Sequence, residues 1–589
     1  MLSCHGAECR LASCSCRTAA AGLVGVFLSL VVASATGWAQ APGNIAAQVN
    51  AHLRAGEFGP ALRLAQGVAD PALRDRLLAG IVRAQAAGGA RQAAVQAAGG
   101  MSDDRRRSDA LSQLSQASAA NDGAPGGGQQ ADFDTLIDLI QATIAPQSWD
   151  TVGGPGAIDD FPGGVYVDTG GLMKRLALQD GGRDLARLRR LAFENAGNQD
   201  PRKQSALRKV SLTRLERLVQ QRWALGRPPT EAMKLLAGLH KVQYVFVYPE
   251  AGDIVLAGPA GDWTVDKEGR AVNAETGRPA LQLDDFVVLL RNAQQHGGRF
   301  TCSITPRQEN LAATQAFLTE SAKTPLRPEQ RGAWLAKIRK CMGTQAITVE
   351  NLEPQTRVAR VIVEADYRMK LIGMGLEEGV LGVISYLDSI QIPVGGSAPP
   401  MNVLRLWFTT NYDALRATPA RNAFELRGTG VKVLSENEML TERGGRIHTG
   451  KSDELTEQFA HRFTKHFDAL AAKYPIYADL QNVFDLALVA AVLMAEDLPG
   501  QVRWHATHFG QAGPYRVALS SAPSEVDTVV HHRVIHNKHI VVGMSGGVSF
   551  DATKYVQKSA AVTDDYGSLK AGHTAAAPRD LAADAWWWD

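Results

Sequence analysis

The stretch DFDTLIDLIQATIAPQSWDTVGGPGAIDDFPGGVYVDTGGL, residues 132–172, packs a helix, a turn and two strands into a short segment. Apolar residues recur at helical spacing up to Pro146, which ends the helix. Glycines and a proline after Trp149 then form a turn into the strands Ala157–Phe161 and Gly164–Asp168. This mixture predicts an α+β fold in which residues 133–176 form a small α/β module.

The rest of the chain divides around this module. The 589 residues are 45% hydrophobic and carry a formal net charge of +2, which is typical of a globular protein with several cores. The predicted parts are a signal peptide at residues 1–39, a helical region at 40–118, a flexible linker at 119–132, the small module at 133–176, a basic helical segment at 177–241, a mixed α+β body at 242–551 and a disordered tail at 552–589. Within 40–118 we expect tetratricopeptide-like hairpins, with a featureless helical bundle as the alternative. In the basic segment an apolar stripe recurs at helical spacing, through Leu212, Leu215, Val219 and Trp223. In the body, residues 357–365 are rich in valine and isoleucine and predict a strand.

The first forty residues have the order of a secretory signal. Arg10 and Arg17 precede an apolar run at residues 19–35, and small residues follow up to Ala39. We expect cleavage after Ala39 and a periplasmic or secreted mature protein, with an uncleaved membrane anchor as the alternative. The apolar segment at 483–495 is too short to span a bilayer and is interpreted as a buried helix, so no transmembrane span is expected after cleavage.

The expected export also determines which cysteines remain and whether they can form a disulfide. Four of the six lie inside the signal segment, which leaves Cys302 and Cys341. In an oxidising compartment a single pair usually forms a disulfide, and closing this loop would stabilise the fold by roughly 3 to 4 kcal/mol. Two buried thiols are the alternative.

A basic stretch invites a partner hypothesis. From Lys174 to Arg227 the chain carries fourteen basic and five acidic residues. Such a stretch suits an anionic envelope polymer, with a solvated helix face as the alternative. The near-zero net charge of the whole chain argues against nucleic acid. At the other end, Trp586, Trp587 and Trp588 either dock on the folded body or act as a peptide ligand.

Two patterns resemble catalytic or metal motifs without meeting their requirements. Gly543 to Gly547 reads GMSGG, a GxSxG pattern, but another strand follows where a nucleophile elbow needs a helix. Glycines at a hairpin turn explain it. The late histidines do not converge on one face of a strand, so we predict no metal site; they are His505, His508, His531, His532, His536 and His539.

No phosphate-binding loop or CxxC motif is present, so we predict no cofactor and no catalytic residue. The sequence favours a non-catalytic interaction or scaffold component with envelope proteins as partners. The alternative is an envelope hydrolase that works in the mixed body. Glu364, Asp366 and Lys370 would be its polar cluster, unless Asp366 and Lys370 simply pair at helical spacing.

Several phrases carry a family resemblance. They are LIQATIAPQSWDTVGGPGAI at 139–158, VQYVFVYPEAGDIVLAGPAGDW at 242–263, VARVIVEADYRMKLIGMGLE at 358–377 and GGVSF at 546–550. Together they resemble the secreted bacterial domain of unknown function 1598 over about residues 133–551. This resemblance implies architecture and no established activity. The phrase around Trp149 also resembles small domains that precede the pore of secretin channels, which implies packing between subunits.

Overall fold

The computed structural model describes residues 42–121, 157–161, 164–168, 200–324, 326–394, 403–440, 446–535, 538–557, 562–564, 567–582 and 584–589. These residues form a helical front and a large mixed sheet covered by helices, which is the multidomain α+β fold that the sequence predicts. The predicted signal peptide, the helix and tryptophan turn of the small module, most of the linker and residues 177–199 of the basic segment lie outside them.

The helical front consists of α1 (Pro42–Arg54), α2 (Phe58–Gln66), α3 (Pro71–Ala87), α4 (Arg91–Gly99) and α5 (Asp104–Asn121). Consecutive helices pack on each other around a separate hydrophobic core, in which alanines let the helices approach closely. The Asp70 side chain caps α3 by accepting a hydrogen bond from the Ala72 N–H at 3.0 Å. Because α5 continues to Asn121, the prediction of a linker from residue 119 was wrong for its first three residues.

The small module is described only in its hairpin. Strands β1 (Ala157–Phe161) and β2 (Gly164–Asp168) pair antiparallel, with the bounds that the sequence predicts.

A thirteen-stranded sheet forms the centre of the body. Its main path runs β13-β9-β8-β15-β10-β11-β4-β5-β3-β17, with β12, β14 and β16 at its flanks. Strand β10 is parallel to β15 and β16, and the other pairs are antiparallel. The strands are β3 (Ser205–Ser211), β4 (Tyr244–Tyr248), β5 (Asp253–Ala260), β8 (Arg299–Pro306), β9 (Thr344–Glu350), β10 (Val403–Ala417), β11 (Ala423–Leu440), β12 (Arg446–His448), β13 (Glu525–Asp527), β14 (Val530–Ile535), β15 (Lys538–Asp551), β16 (Val562–Thr563) and β17 (Trp587–Trp588), with β6 (Trp263–Val265) and β7 (Ala271–Asn273) as a separate hairpin.

One face of the central strands is apolar and covered by helices. Alternate residues of β10, namely Leu404, Leu406 and Phe408, are fully buried because side chains alternate between the faces of a strand. Helices α8, α11 and α13 to α15 pack on this face. The described helices after the front are α6 (Leu212–Ala224), α7 (Glu231–Lys234), α8 (Leu283–His296), α9 (Gln308–Ser321), α10 (Arg331–Met342), α11 (Arg357–Gly373), α12 (Tyr386–Ser389), α13 (Glu454–Lys465), α14 (Phe467–Lys473), α15 (Pro475–Ala495), α16 (Leu498–Gln501), α17 (Thr553–Val556) and α18 (Ser568–Ala575).

Helix α15 is the apolar segment that the sequence analysis considered too short to span a membrane. The helix has 21 residues because it begins at Pro475, before the segment 483–495 that the sequence analysis considered, and by length and composition it is the one described helix that could span a membrane. However, 89% of its most apolar window is buried inside the protein. It packs against α8, α11 and α14, as expected of a core helix.

Helix α11 corrects a predicted strand. Residues 357–365 are rich in valine and isoleucine, which favours a strand, yet they form the first half of a helix. Val358, Ile362, Ala365 and Met369 are buried at spacings of three and four, and the Thr356 side chain caps the first turn. Burial of one helical face therefore outweighs the β propensity of these residues.

The predicted disordered tail is ordered where the structure describes it. Trp586, Trp587 and Trp588 are only 7–8% exposed, and β17 pairs with the edge strand β3. The Arg208 guanidinium lies 4.4 Å above the Trp587 ring and its Nε donates to Asp589 at 2.9 Å. Helix α18 covers the outer face of β4 and β5. The tryptophans thus dock on the body, which was the first of the two expected alternatives.

The basic segment at 177–241 is not helical throughout. Its described part begins with β3, and helices α6 and α7 follow. The stripe Leu212, Leu215 and Val219 on α6 is buried in the body's core, as predicted from its spacing. Ala224, at the end of the same helix, belongs to the core of the helical front. Helix α6 therefore contributes to both cores.

Candidate functional site

The residues of the predicted polar cluster lie on different faces of α11. Lys370 Nζ is 2.8 Å from Asp366 Oδ2, and both side chains are fully buried. Glu364 points elsewhere, forms an ion pair with Arg270 and is 35% exposed. The prediction of one cluster of three was wrong, because positions 364 and 366 are about 200° apart around a helix. The simple pairing of Asp366 with Lys370 is what the structure contains.

The buried pair is enclosed by strands. Lys370 Nζ also donates to Gln345 Oε1 at 3.2 Å, and Asp366 Oδ1 accepts from the Gly547 N–H at 2.7 Å. Burial raises the pKa of Asp366, and the neighbouring ammonium group only partly opposes this rise. A Cβ atom on Gly546 would lie 2.5 Å from Asp366 Oδ1, so glycine is needed for the helix to approach the strand. This arrangement holds α11 on the sheet.

The serine of the GxSxG pattern, Ser545, lies inside strand β15. Residues 543–547 belong to the interior of β15, so the predicted hairpin turn was wrong, whereas the predicted strand after the serine was right. Ser545 is fully buried, and its hydroxyl lies within hydrogen-bonding distance of Leu404 O at 3.4 Å and Glu438 Oε2 at 3.3 Å. A nucleophile needs access to its substrate, and the buried Ser545 hydroxyl has none in this arrangement.

Cys302 and Cys341 are both free, so the predicted disulfide is not formed. Cys302 is paired with Val349 across β8 and β9, and Gln345 is paired with Pro306. Val349 and Gln345 are about 13 Å apart along the strand. Cys341 comes before Gln345 in the chain, within α10, and so does not belong to the strand that is paired with Cys302. A disulfide needs two Cα atoms within about 7 Å. Burial raises the pKa of the Cys302 thiol, which keeps it protonated.

One group of described side chains has the residue types of a metal site. Ligand atoms of Glu436, Glu438 and His448 lie within 4.8 Å of one another. The carboxylate of Glu436 is already 3.0 Å from the Arg405 guanidinium and accepts a hydrogen bond from the Gly450 N–H at 2.8 Å. These contacts hold the pKa of Glu436 below its ordinary value, although burial opposes them. Its neighbours already compensate its charge.

The structure describes the side chains of two of the late histidines, His505 and His508. His505 donates its backbone N–H to Asp104, and His508 lies at the cavity described next. His531, His532 and His539 belong to β14 and β15, and their side chains lie outside the described part of the structure, as does His536.

A groove between the helical front and the body has a volume of about 950 Å³. Its walls come from α4, α5 and α6, from the loop after α6, from the start of α8 and from the segment 514–518. A cavity of this size matches those that bind ligands. The groove is lined by Arg91, Ser115, Gln116, Val219, Trp223, Gly226, Arg227, Pro228, Pro229, Lys234, Gln282, Asp284, His508, Pro514, Tyr515, Arg516 and Ala518.

Aromatic rings form part of the groove wall. The His508 ring centroid is 5.4 Å from that of Trp223 and 5.8 Å from that of Tyr515. His508 is only 1% exposed, and burial together with nearby Arg291 lowers its pKa to about 4. The ring is therefore neutral at neutral pH. Its Nδ1 atom has no hydrogen-bond partner among the described residues.

Helix α6, the start of α5 and the segment 504–509 meet beside the groove, and we call this contact the joint. Hydrogen bonds at the joint hold the walls of the groove in place. Glu216 Oε1 accepts from the backbone N–H groups of His508 and Phe509 at 2.8 and 2.7 Å. Its Oε2 accepts from the Trp504 indole at 2.5 Å. Gln220 Nε2 reaches both Ser108 Oγ, at 3.3 Å, and Thr507 Oγ1, at 3.1 Å.

Further contacts cross the joint. The Asp104 carboxylate accepts from the His505 N–H at 3.1 Å, and the Arg91 guanidinium donates to Ala224 O at 2.6 and 3.1 Å. Burial, with the nearby charge of Asp104, raises the pKa of Glu216 to about 7. Helical front and body thus share polar contacts along one side of the groove.

The sequence analysis did not predict the groove. Its residues come from segments more than 400 positions apart, and only tertiary packing brings them together. Three signals pointed to parts of it: Arg227 ends the basic stretch, Trp223 ends the apolar stripe of α6, and His508 belongs to the late histidines.

Comparison with known proteins gives a family match over one segment and no activity. Residues 302–386 match the model of a family described as protein of unknown function (DUF1598), which confirms the predicted resemblance over that segment. No curated protein and no solved structure matches the chain. The matched segment covers β8, β9, α9, α10 and α11, so it includes the buried pair Asp366 and Lys370 and none of the residues that line the groove.

Proposed function

We propose that this protein is an exported, non-catalytic interaction component of the cell envelope, and that it holds its partner in the groove. The observation that carries the proposal is the joint. Hydrogen bonds of Gln220, Arg91 and Asp104 join the helical front to α6 and the body. Glu216 holds α6 against the segment 504–509, and the groove takes its walls from both parts. A site that is formed in advance loses less conformational entropy when it binds.

The groove has the composition of a binding site. Aromatic residues such as Trp223 and Tyr515 are enriched where proteins bind partners, because they bury a large area and retain a polar group. The residues considered for a hydrolase support that alternative less well, because Ser545, Asp366 and Lys370 are fully buried away from the groove. Binding without catalysis accounts better for these features.

The test is crosslinking in living cells followed by affinity purification of the tagged protein. Ala518→Trp places a large ring in the groove, and Ala336→Trp makes the same change at an exposed position of α10. We expect wild type and Ala336→Trp to capture the same envelope proteins in stoichiometric amounts and Ala518→Trp to lose them. Equal capture by all three forms, or capture of no envelope protein by wild type, would contradict the proposal. Circular dichroism and melting curves check that each variant is folded.

Export is tested separately by cell fractionation and intact mass. The proposal requires a mature protein that begins at Gln40 and is found in the periplasm or the medium. A cytoplasmic protein with its first forty residues intact would rule out an envelope role whatever the crosslinking shows.

A further inference from the structure

The groove carries an excess of positive charge. Four cationic side chains line it, Arg91, Arg227, Lys234 and Arg516, against the single carboxylate of Asp284. Asp284 is engaged by neutral donors, since it accepts from the Tyr515 hydroxyl at 2.7 Å and from the Ala518 N–H at 3.0 Å. The cations therefore face a groove without a matching set of carboxylates.

Three of these cations are available to a ligand. Arg227, Lys234 and Arg516 are exposed, and none of them forms an ion pair with a carboxylate in the described part of the chain. Arg91 is held differently, because its guanidinium donates to Ala224 O. The three exposed cations come from two parts of the chain: the loop after α6 with α7, and the segment 514–518.

The groove also needs an apolar ligand surface. Trp223, Val219 and the prolines at 228, 229 and 514 form an apolar surface. Covering this surface with an apolar ligand group removes it from water and stabilises the complex, whereas a polar ligand group would give no such stabilisation. His508 is buried, with its ring centroid 5.4 Å from that of Trp223, and supports this wall from inside the protein. A ligand that satisfies these groups combines negative charge with an apolar body.

We infer that the groove binds an acidic peptide segment that carries an aromatic or long aliphatic side chain. This inference rests on the proposed function and names the partner's chemistry. Carboxylates of the segment pair with Arg227, Lys234 and Arg516, and its apolar side chain packs on Trp223. A phosphate polymer would satisfy the cations and leave the apolar wall without a partner.

The first measurement uses a probe with the same two features. The dye 8-anilinonaphthalene-1-sulfonate joins an aromatic body to one anion, and N-phenyl-1-naphthylamine is its neutral counterpart. We expect one equivalent of the anionic dye to bind wild type, and about tenfold weaker binding to the triple variant Arg227→Ala, Lys234→Ala, Arg516→Ala. The neutral dye should bind both forms alike.

The matched control removes three exposed cations from α10, through Lys337→Ala, Arg339→Ala and Lys340→Ala. It should bind the anionic dye as wild type does. Competition then identifies the ligand class: a heptapeptide of alternating Glu and Phe should displace the dye, and the same peptide with Lys in place of Glu should not.

Each other result overturns the inference. If both triple variants weaken binding of the anionic dye equally, the effect comes from the overall charge of the protein and not from the groove. Displacement by both peptides would remove the acidic requirement, and displacement by neither would leave a small organic anion as the ligand. Loss of partners in Ala518→Trp together with charge-independent dye binding would keep the proposed function and reject only the acidic peptide.

Discussion

Two buried carboxylates, Glu216 at the joint and Asp366 in the body, differ in what surrounds them. Asp366 has the Lys370 ammonium group 2.8 Å away. Glu216 accepts hydrogen bonds from three neutral N–H groups, and the other charge that acts on it most strongly is that of Asp104, another acid. Burial raises the pKa of both carboxylates. The body therefore holds a compensated pair, and the joint holds a carboxyl group that changes charge near neutral pH.

This difference has a physical consequence. A buried ion pair is costly to break because the remaining charge has no partner, whereas a buried acid without a cation can take up a proton. The core of the body should thus respond strongly to substitution. The joint, which forms one side of the groove, should respond to pH as well.

The largest effect is expected from breaking the pair in the body. Lys370→Met leaves Asp366 buried without its cation, so the free energy of unfolding should fall by about 3 to 5 kcal/mol at pH 8. The loss should be smaller at pH 5, where Asp366 takes up a proton more easily. Urea denaturation at both pH values measures this. The double variant Asp366→Asn, Lys370→Met should recover at least half of the loss; no recovery would mean that packing, and not charge, dominates here.

The next largest effect concerns Glu216 and pH. Because its pKa is about 7 in the folded protein and near 4.5 when unfolded, the folded state binds more protons between these values. Its contribution to stability is complete below about pH 4.5 and is lost as the pH rises through 7. A shift of this size corresponds to roughly 3 kcal/mol. In Glu216→Gln, the decrease in unfolding free energy from pH 5 to pH 8 should therefore shrink by up to that amount.

Two other buried acids serve as a reference for this measurement. Burial raises the pKa of Asp285 and of Asp485 to about 6. These two acids therefore also contribute to the decrease in the wild-type unfolding free energy as the pH rises. Glu216→Gln should leave that part of the decline in place. An unchanged curve would show that Glu216 has an ordinary pKa.

The comparison also shows which features the sequence could predict. Pairing of Asp366 with Lys370 follows from helical spacing alone, and β1 and β2 follow from alternation between turn residues. The strand predicted at 357–365 was wrong because local β propensity cannot reveal which face a helix buries. The docking of Trp587 depended on the edge of β3, which lies nearly 400 residues earlier.

The joint and the groove required tertiary information. Glu216 lies in a basic, helical stretch where nothing marks it as buried, and its three donors come from residues 504–509. Hydrogen bonds between such distant positions leave no periodic pattern in the sequence. The same reason explains why Trp223 and His508 were noticed separately and not as one wall of a groove.

A smaller effect is expected from removing one donor at Glu216. Trp504→Phe deletes the indole N–H and keeps most of the ring's apolar surface. A hydrogen bond to an ionised carboxylate contributes about 1.5 to 3 kcal/mol and one to a neutral group about 1. The variant should therefore lose more stability at pH 8 than at pH 5. Equal losses at both values would indicate that Glu216 does not change its charge in this range.

The smallest effect is expected from Gln220→Ala, which removes a neutral bridge from the same joint. Its amide reaches Ser108 on the helical front and Thr507 on the body, so its loss should cost about 1 kcal/mol. No ionisable group takes part, and the cost should be the same at pH 5 and pH 8. Urea denaturation followed by far-ultraviolet circular dichroism measures the cost. A cost that varied with pH would mean that Gln220 acts through Glu216, one turn earlier on α6, and that the joint behaves as a single coupled network.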